Sequence, residues 1–84
     1  DVAGFINLGQ SFSGSSNKTF DFAYSPLTYE SCMNVINKVY DMNLNTNYTG
    51  TPTLRIRSTT YNLLSADDIA IATNKGWTVK SYLP

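Results

Sequence analysis

The sequence has no histidine, and this absence excludes the commonest catalytic and metal-binding arrangements. Ser-His-Asp and Cys-His nucleophile pairs need an imidazole base, and most zinc sites include a histidine ligand. Cys32 is the only cysteine, so an internal disulfide is excluded as well. We therefore expect no enzyme activity, no cofactor and no metal site in this chain.

Charge and long apolar runs are also scarce. Only 14% of the 84 residues are charged, and six Lys and Arg balance six Asp and Glu. Nucleic acid is bound by basic surfaces, so we expect no nucleic-acid partner. No apolar run approaches the ~20 residues of a membrane span. No charged region followed by an apolar one opens the chain, so we expect no signal peptide in it.

What the chain does contain favours one small globular domain over residues 1–84. Hydrophobic residues make up 42%, which is too many for a disordered chain. The chain opens at Asp1 rather than Met, and we expect a processed product or a piece of a longer protein. The early patch "GFINLG" is interpreted as a short helical turn or extended segment, and the Gly/Ser stretch after it as a loop.

Three segments alternate apolar and polar residues with the period of a β-strand. They are "TFDFAYS", "TLRIRS" and "WTVKSYL", with the apolar pairs Phe20/Phe22, Leu54/Ile56 and Trp77/Val79. Each apolar pair is predicted to face the core. The alternate side chains then share the opposite face of the sheet.

Two stretches with helical spacing separate these strands. The first should begin at an N-cap, Thr28, and end near residues 41–43. Its predicted apolar face consists of Tyr29, Cys32, Met33, Ile36, Val39 and Tyr40. The second should begin at Ser65, with Asp68 completing a capping box. Lys75 should complement the negative end of this second helix, and Gly76 should supply a left-handed stop.

The order strand, helix, strand, helix, strand predicts an α/β fold. Helix-length connections favour a parallel three-stranded sheet backed by two helices, with "TTYNLL" as a tight connection. Phe20 precedes Leu54 by 34 residues, and Leu54 precedes Trp77 by 23. The second spacing lies within the roughly 20–29-residue period of leucine-rich repeats.

The outward-pointing strand residues form the candidate binding site. They are Asp21, Ala23, Arg55, Arg57, Thr78 and Lys80. If the strands pair in register, all but Ala23 would make a mostly basic binding face, because repeat proteins often bind through the open face of the sheet. The alternative interpretation is a solvated face with no partner.

Other motifs have simpler structural interpretations. Residues 9–16, "GQSFSGSS", nearly match a phosphate-binding loop, but the lysine is missing and a strand follows, so we expect a plain loop. Cys32 lies on an apolar helical stripe, which favours a buried, inert thiol. Asp67 and Asp68 lie in the first turn of a helix, where carboxylates interact with the helix dipole and cap the helix.

Two stretches, "LTYESCMNVINKVYDM" and "LLSADDIAIATNKGWTVK", resemble the C-terminal part of BspA-like leucine-rich repeat surface proteins of gut Bacteroidetes. The likeness rests on residues 28–31, 34–37 and 71–78 and covers roughly residues 5–82. In the family, the pattern leu-x-leu-x-x-asn places a buried asparagine at its last position. Ser25, Thr59 and Tyr82 occupy that position here, and we expect their hydroxyls to bond the backbone instead.

The resemblance implies non-enzymatic recognition or adhesion at a bacterial cell surface or outside the cell, with a protein or glycan as ligand. The alternative is a structural or receptor-binding component of a phage particle. It also implies that residues 63–82 form a closing cap, in which Trp77 seals the end of the core. A secretion signal in the full gene would support the first origin, and neighbouring tail or capsid genes the second.

Overall fold

A parallel three-stranded sheet lies at the centre of the protein. The computed structural model describes residues 9–83, so the patch "GFINLG", apart from Gly9, lies outside the described residues. The strands are β1 (Thr19–Phe22), β2 (Thr53–Arg57) and β3 (Thr78–Tyr82), in the spatial order β1-β2-β3. Both neighbouring pairs are parallel. The α/β fold with a parallel three-stranded sheet is therefore confirmed.

The two long helices begin where the sequence predicts. α1 (Tyr29–Lys38) has Thr28 as its N-cap, and the Thr28 side chain accepts a hydrogen bond from the backbone N–H of Ser31. The next helix, α2 (Ser58–Tyr61), is a single turn, and α3 (Ala66–Thr73) completes the set. Ser65 caps α3, and both hydrogen bonds of the capping box with Asp68 are present. A short 3₁₀ turn, Met42–Leu44, follows α1.

The tight connection predicted at "TTYNLL" includes a helical turn, α2, that the sequence pattern did not predict. Thr60 of this turn is buried, and its hydroxyl donates to the carbonyl oxygen of Leu27 at 2.7 Å. This bond joins α2 to the segment that leads into α1. A four-residue helix is too short to give a periodic apolar signal, so the sequence pattern missed it.

The C-terminus of α1 also differs from the prediction, because the helix ends at Lys38 rather than near residues 41–43. Val39 has extended backbone angles, with φ −61° and ψ 147°. The Lys75 ammonium donates to the carbonyl oxygens of Asn37 at 2.8 Å and Val39 at 3.1 Å. Lys75 was expected to complement its own helix α3. It instead satisfies carbonyls at the negative end of α1.

The strand register is as predicted on one side of β2 and shifted on the other. Phe20 pairs with Leu54, as expected. Leu54, however, pairs with Val79 rather than with Trp77, because the Thr78 N–H donates to the Pro52 carbonyl and sets the register. A shift of two residues leaves each side chain on its predicted face, since strand side chains alternate with period two.

Trp77 is buried, as predicted, at the point where α3 gives way to β3. Only 2% of the residue is exposed, and its indole Nε1 donates to the Tyr40 carbonyl at 2.9 Å. Its ring lies 6.1 Å from the rings of both Phe12 and Phe20. Gly76 just before it has φ +89°, a left-handed angle that favours glycine. Trp77 therefore joins the α3–β3 turn to the core.

The core lies between the helices and one face of the sheet. Its buried members are Cys32, Val35, Ile36, Val39, Leu54, Ile56, Ala72 and Trp77. Tyr29 was predicted to belong to the apolar face of α1, but it is 43% exposed. Its hydroxyl donates to Asp68 Oδ2 at 2.9 Å, so it ties the start of α1 to the start of α3.

The positions that hold a buried asparagine in leucine-rich repeats are exposed in this chain. Ser25, Thr59 and Tyr82 all lie at the surface. The prediction that their hydroxyls replace the asparagine is therefore wrong. Thr60 is the buried hydroxyl, one residue beyond Thr59, because α2 turns its side chain inward.

Candidate binding face

The two faces of the sheet differ sharply in burial. Along β2, Leu54 and Ile56 are buried, whereas Thr53, Arg55 and Arg57 are partly exposed. We call the side chains that point away from the core the open face. They are Thr19, Asp21, Thr53, Arg55, Arg57, Thr78, Lys80 and Tyr82. The covered face carries the apolar residues Phe20, Phe22, Leu54, Ile56 and Val79, with the exposed Ser81 at the end of β3.

The strand register brings the five residues of the predicted binding set onto this open face. Asp21, Arg55 and Lys80 occupy one row across the three strands. Arg57 follows Arg55 on β2, and Thr78 precedes Lys80 on β3 by two residues. The predicted set therefore lies together because parallel pairing aligns the alternate positions of neighbouring strands.

Ala23 was also predicted to point outward, and this prediction is wrong. The residue lies just beyond the end of β1 and is completely buried, with 0% exposure. Its backbone N–H donates to Asp21 Oδ1 at 2.8 Å, so the chain turns at this point and the strand alternation stops. A two-residue alternation predicts orientation only as far as the strand extends.

Asp21 and Arg55 form an ion pair between β1 and β2, the only one found within residues 9–83. About a third of each side chain is exposed, 31% and 33% respectively. The hydrogen bond from Arg55, and then the one from the Ala23 N–H, lower the pKa of Asp21. The hydrogen bond to Asp21 in turn raises the pKa of Arg55. Both groups are therefore charged at neutral pH.

Two tyrosine rings extend the site beyond the predicted residues. The Arg55 guanidinium carbon lies 4.2 Å from the centroid of the Tyr82 ring, which is a cation–π contact. The Tyr24 ring lies 6.3 Å from the Tyr82 ring. Tyr24 is 66% exposed and Tyr82 is 38% exposed, so both rings are accessible from solvent.

The sequence held a signal for one of these tyrosines. Tyr82 continues the alternation of Thr78 and Lys80, and the same rule that selected those residues would have selected it. Tyr24 had no such signal, because it follows the turn at Ala23 and lies outside the strand. Only the folded chain brings its ring to Tyr82.

Positive charge is concentrated on the open face. Arg57 and Lys80 make no ion pair with any described residue, whereas Arg55 is neutralised by Asp21. The face holds three cations and one carboxylate, a net charge of +2, in a chain whose formal net charge is 0. An anion that approaches this face would meet two unpaired cations beside exposed aromatic rings.

The rest of the described chain offers no comparable constellation. Over residues 9–83 there is no pocket and no group of three or more His, Cys, Asp or Glu that could hold a metal ion. No helix in that range is long and apolar enough to cross a membrane. Residues 9–16 form a loop and turn followed by β1, as predicted, and no helix begins there.

Cys32 and Asp68 have the structural surroundings predicted for them. Cys32 is a free, buried cysteine, and burial, followed by the nearby charge of Asp68, raises its pKa to about 11. Asp68 accepts the Ser65 N–H at 3.0 Å as the capping-box carboxylate. That bond, and then the one from Tyr29, lower the pKa of Asp68. The cap role of Asp68 is thus confirmed.

No protein-family model, curated protein or solved structure matches this chain. The kinship to BspA-like leucine-rich repeats therefore stays a prediction from sequence motifs. The geometry of the open face is the remaining basis for a functional proposal.

Proposed function

We propose that the chain is a non-enzymatic recognition module that binds a protein or glycan ligand through its open face. The observation that carries this proposal is the ordered group formed by Asp21, Arg55 and Tyr82, with Tyr24 at its side. The ion pair and the aromatic contact hold the guanidinium from two directions. Groups fixed before a ligand arrives lose little conformational freedom on binding.

The composition of this face is the reason to prefer binding over a merely solvated surface. Tyr and Arg are enriched among the residues that dominate binding energy, because they bury large area and keep polar groups available. A strand face that is only solvated has no need of two neighbouring, exposed tyrosine rings. Tyr24 and Tyr82 are both exposed here, Tyr82 contacts Arg55, and Tyr24 contacts Tyr82.

The proposed setting is the bacterial cell surface or the extracellular space, with a phage particle as the alternative. The support for this setting is the sequence resemblance of residues 28–31, 34–37 and 71–78 to repeat proteins of that location. Under either setting the open face would be the part that contacts the ligand.

The experiment that tests the function is a binding screen with matched charge variants. The purified chain is applied to arrays of bacterial glycans and of surface proteins, and each signal is repeated with the double variant Arg57→Glu/Lys80→Glu. The control is Lys18→Glu/Lys38→Glu, which makes the same charge change away from the open face. Lys18 lies over the Phe12 ring and Lys38 ends α1.

We expect at least one ligand whose binding is lost in the first double variant and kept in the control. Equal loss in both variants would mean that binding depends on overall charge rather than on the open face. Absence of any specific ligand, or binding that survives Arg57→Glu/Lys80→Glu, would reject the proposed function.

A further inference from the structure

We propose that the ligand of the open face is a glycan that carries carboxylate groups, such as a stretch of uronic- or sialic-acid-containing polysaccharide. This inference rests on the proposed function and narrows the class of its ligand. Three features of the face carry it: its area, its two unpaired cations and its exposed tyrosine rings.

The strands of the open face span a small, flat area. With four residues in β1 and five in each of β2 and β3, at about 3.3 Å per residue and about 4.8 Å between strands, the planar area is about 220 Å². A stable protein–protein interface buries about 800 Å² of accessible surface on each partner, so a protein ligand would also have to contact residues outside these strands. The face is flat, with no pocket found within the described residues 9–83. A flat site of this area matches a short run of sugar rings lying across the strands.

The charge of the face indicates that these sugars are acidic. Asp21 is already paired with Arg55, so its carboxylate does not repel an incoming anion as a free carboxylate would. Arg57 and Lys80 remain without an ion pair among the described residues. Arg57 can bind a carboxylate with two parallel hydrogen bonds, and Lys80 can add a third.

The positions of these two cations suit a chain of charged units. Lys80 pairs with Arg55, and Arg57 pairs with Tyr82, so the two cations are diagonal neighbours on β2 and β3. Strand geometry places their Cα atoms about 8 Å apart. Long flexible side chains from these positions can converge on one carboxylate or contact carboxylates on successive sugars.

The tyrosines supply the contact for the body of the sugar. The C–H groups on the face of a sugar ring carry slight positive charge, and the negative face of an aromatic ring attracts them. Arg55 lies over the Tyr82 ring, whereas Tyr24 is 66% exposed and presents most of its ring to solvent. A sugar stacked on Tyr24 beside Tyr82 would place its substituents near the cationic row.

The test uses three acidic probes: tri-galacturonic acid, a hyaluronan tetrasaccharide and α2,8-linked trisialic acid. Binding to the ¹⁵N-labelled protein is followed by the NMR shifts of backbone amides. We expect at least one probe to bind and to shift the amides of β2 and β3. Methyl esterification of its carboxylates should weaken binding by about tenfold or more, since a charged hydrogen bond is lost.

Variants then locate the contacts. Arg57→Gln/Lys80→Gln should weaken binding of the acidic probe about tenfold or more, whereas Lys18→Gln/Lys38→Gln should leave it within about twofold. Tyr24→Ala should also weaken binding of the acidic probe. The thermal midpoint of this variant should match that of the parent, because the Tyr24 ring is exposed. Failure of all three probes to bind would overturn the inference.

Further outcomes separate this inference from the proposed function. Equal affinity for an acidic and an esterified glycan would overturn the carboxylate requirement and leave recognition by the open face intact. A hexaglutamate peptide that binds the same residues more tightly than any glycan would identify an acidic protein as the ligand. If a probe binds the Arg57→Gln/Lys80→Gln variant as tightly as it binds the parent, both proposals are contradicted.

Discussion

The covered and open faces of the sheet are built from the same three strands, yet they have different physical roles. Leu54 and Ile56 on the covered face are 0% and 2% exposed, and they pack against α1 and α3. Arg55, on the same strand, is held by an exposed ion pair and a tyrosine ring. One face therefore supplies most of the stability, and the other can change its side chains at little cost in folding free energy.

The reason for this division is the environment of each contact. Apolar area removed from water stabilises the fold by about 25 cal/mol per Å², and a residue lost from the core leaves a cavity. Exposed ion pairs contribute little, because water and salt screen them. Four sets of measurements test the contrast between the two faces.

The largest effect is expected from Trp77→Ala. Truncation of a buried tryptophan costs about 3–5 kcal/mol in unfolding free energy. The change also removes the hydrogen bond to the Tyr40 carbonyl. Domains have total stabilities of about 5–15 kcal/mol, and a chain of 84 residues should lie near the low end, so we expect this variant to be largely unfolded or molten at 37 °C. Thermal and denaturant unfolding measure the change.

The matched control for Trp77→Ala is Tyr82→Ala, which removes an aromatic ring from the open face. Its thermal midpoint should lie within a few degrees of the parent. Should Trp77→Ala melt as close to the parent as Tyr82→Ala does, Trp77 would not seal the core. The claim that the covered face supplies most of the stability would then be wrong at this end of the sheet.

The second measurement compares thiol reactivity on the two sides of the sheet. Cys32 is buried and its pKa is raised to about 11 from 9.0, which leaves about 100-fold less reactive thiolate at pH 8. In the variant Lys80→Cys, the introduced thiol on the open face should react with a thiol reagent at least about 100-fold faster than Cys32. Mass spectrometry of the two peptides gives both rates in one sample.

Denaturant provides the reference state for this labelling. Both thiols should react at similar rates in the unfolded chain. Native labelling of Cys32 at the denatured rate would contradict its burial in a stable core.

The third prediction compares two adjacent threonines, and the expected loss of stability is smaller. Thr60→Val removes the buried hydroxyl that donates to the Leu27 carbonyl, and we expect a loss of about 1–3 kcal/mol in unfolding free energy. Thr59→Val makes the same chemical change on an exposed neighbour and should stay within about 0.5 kcal/mol of the parent. Denaturant unfolding measures both. Equal losses would mean that the hydroxyl bond does not fix α2.

The smallest effect concerns the Asp21–Arg55 pair of the open face. The folded-state pKa of Asp21 is lowered from 3.8, so the pair stabilises the protein above pH 3.8 and loses this contribution as the pH falls through the lowered pKa. Asp21→Asn should therefore lower the thermal midpoint slightly at pH 7, and parent and variant should converge in acid. Screening by salt should shrink the pH 7 difference.

A second substitution isolates the pair itself. Arg55→Gln should have less effect in the Asp21→Asn background than in the parent, because the partner is already gone. A large and additive loss from both changes would show that the open face carries more of the stability than its exposure indicates.

Much of the fold was predictable because its signals are local. The Thr28 cap and the Ser65–Asp68 capping box join atoms only three residues apart in sequence. The alternation in β2 sorts its side chains by face without knowledge of their partners. The separation of strands by helix-length stretches favoured parallel pairing. The five residues of the predicted binding set were found by the same alternation.

Local sequence patterns were thus sufficient to predict the starts of α1 and α3, the strand faces and the parallel sheet. The tertiary structure alone decided the register of β3, the end of α1 at Lys38, the turn α2 and the contact between Tyr24 and Tyr82. Each of these depends on groups far apart in the chain, such as the Lys75 ammonium and the Asn37 carbonyl, 38 residues away. Local patterns carry no information on such pairs, since their geometry exists only after the chain has packed.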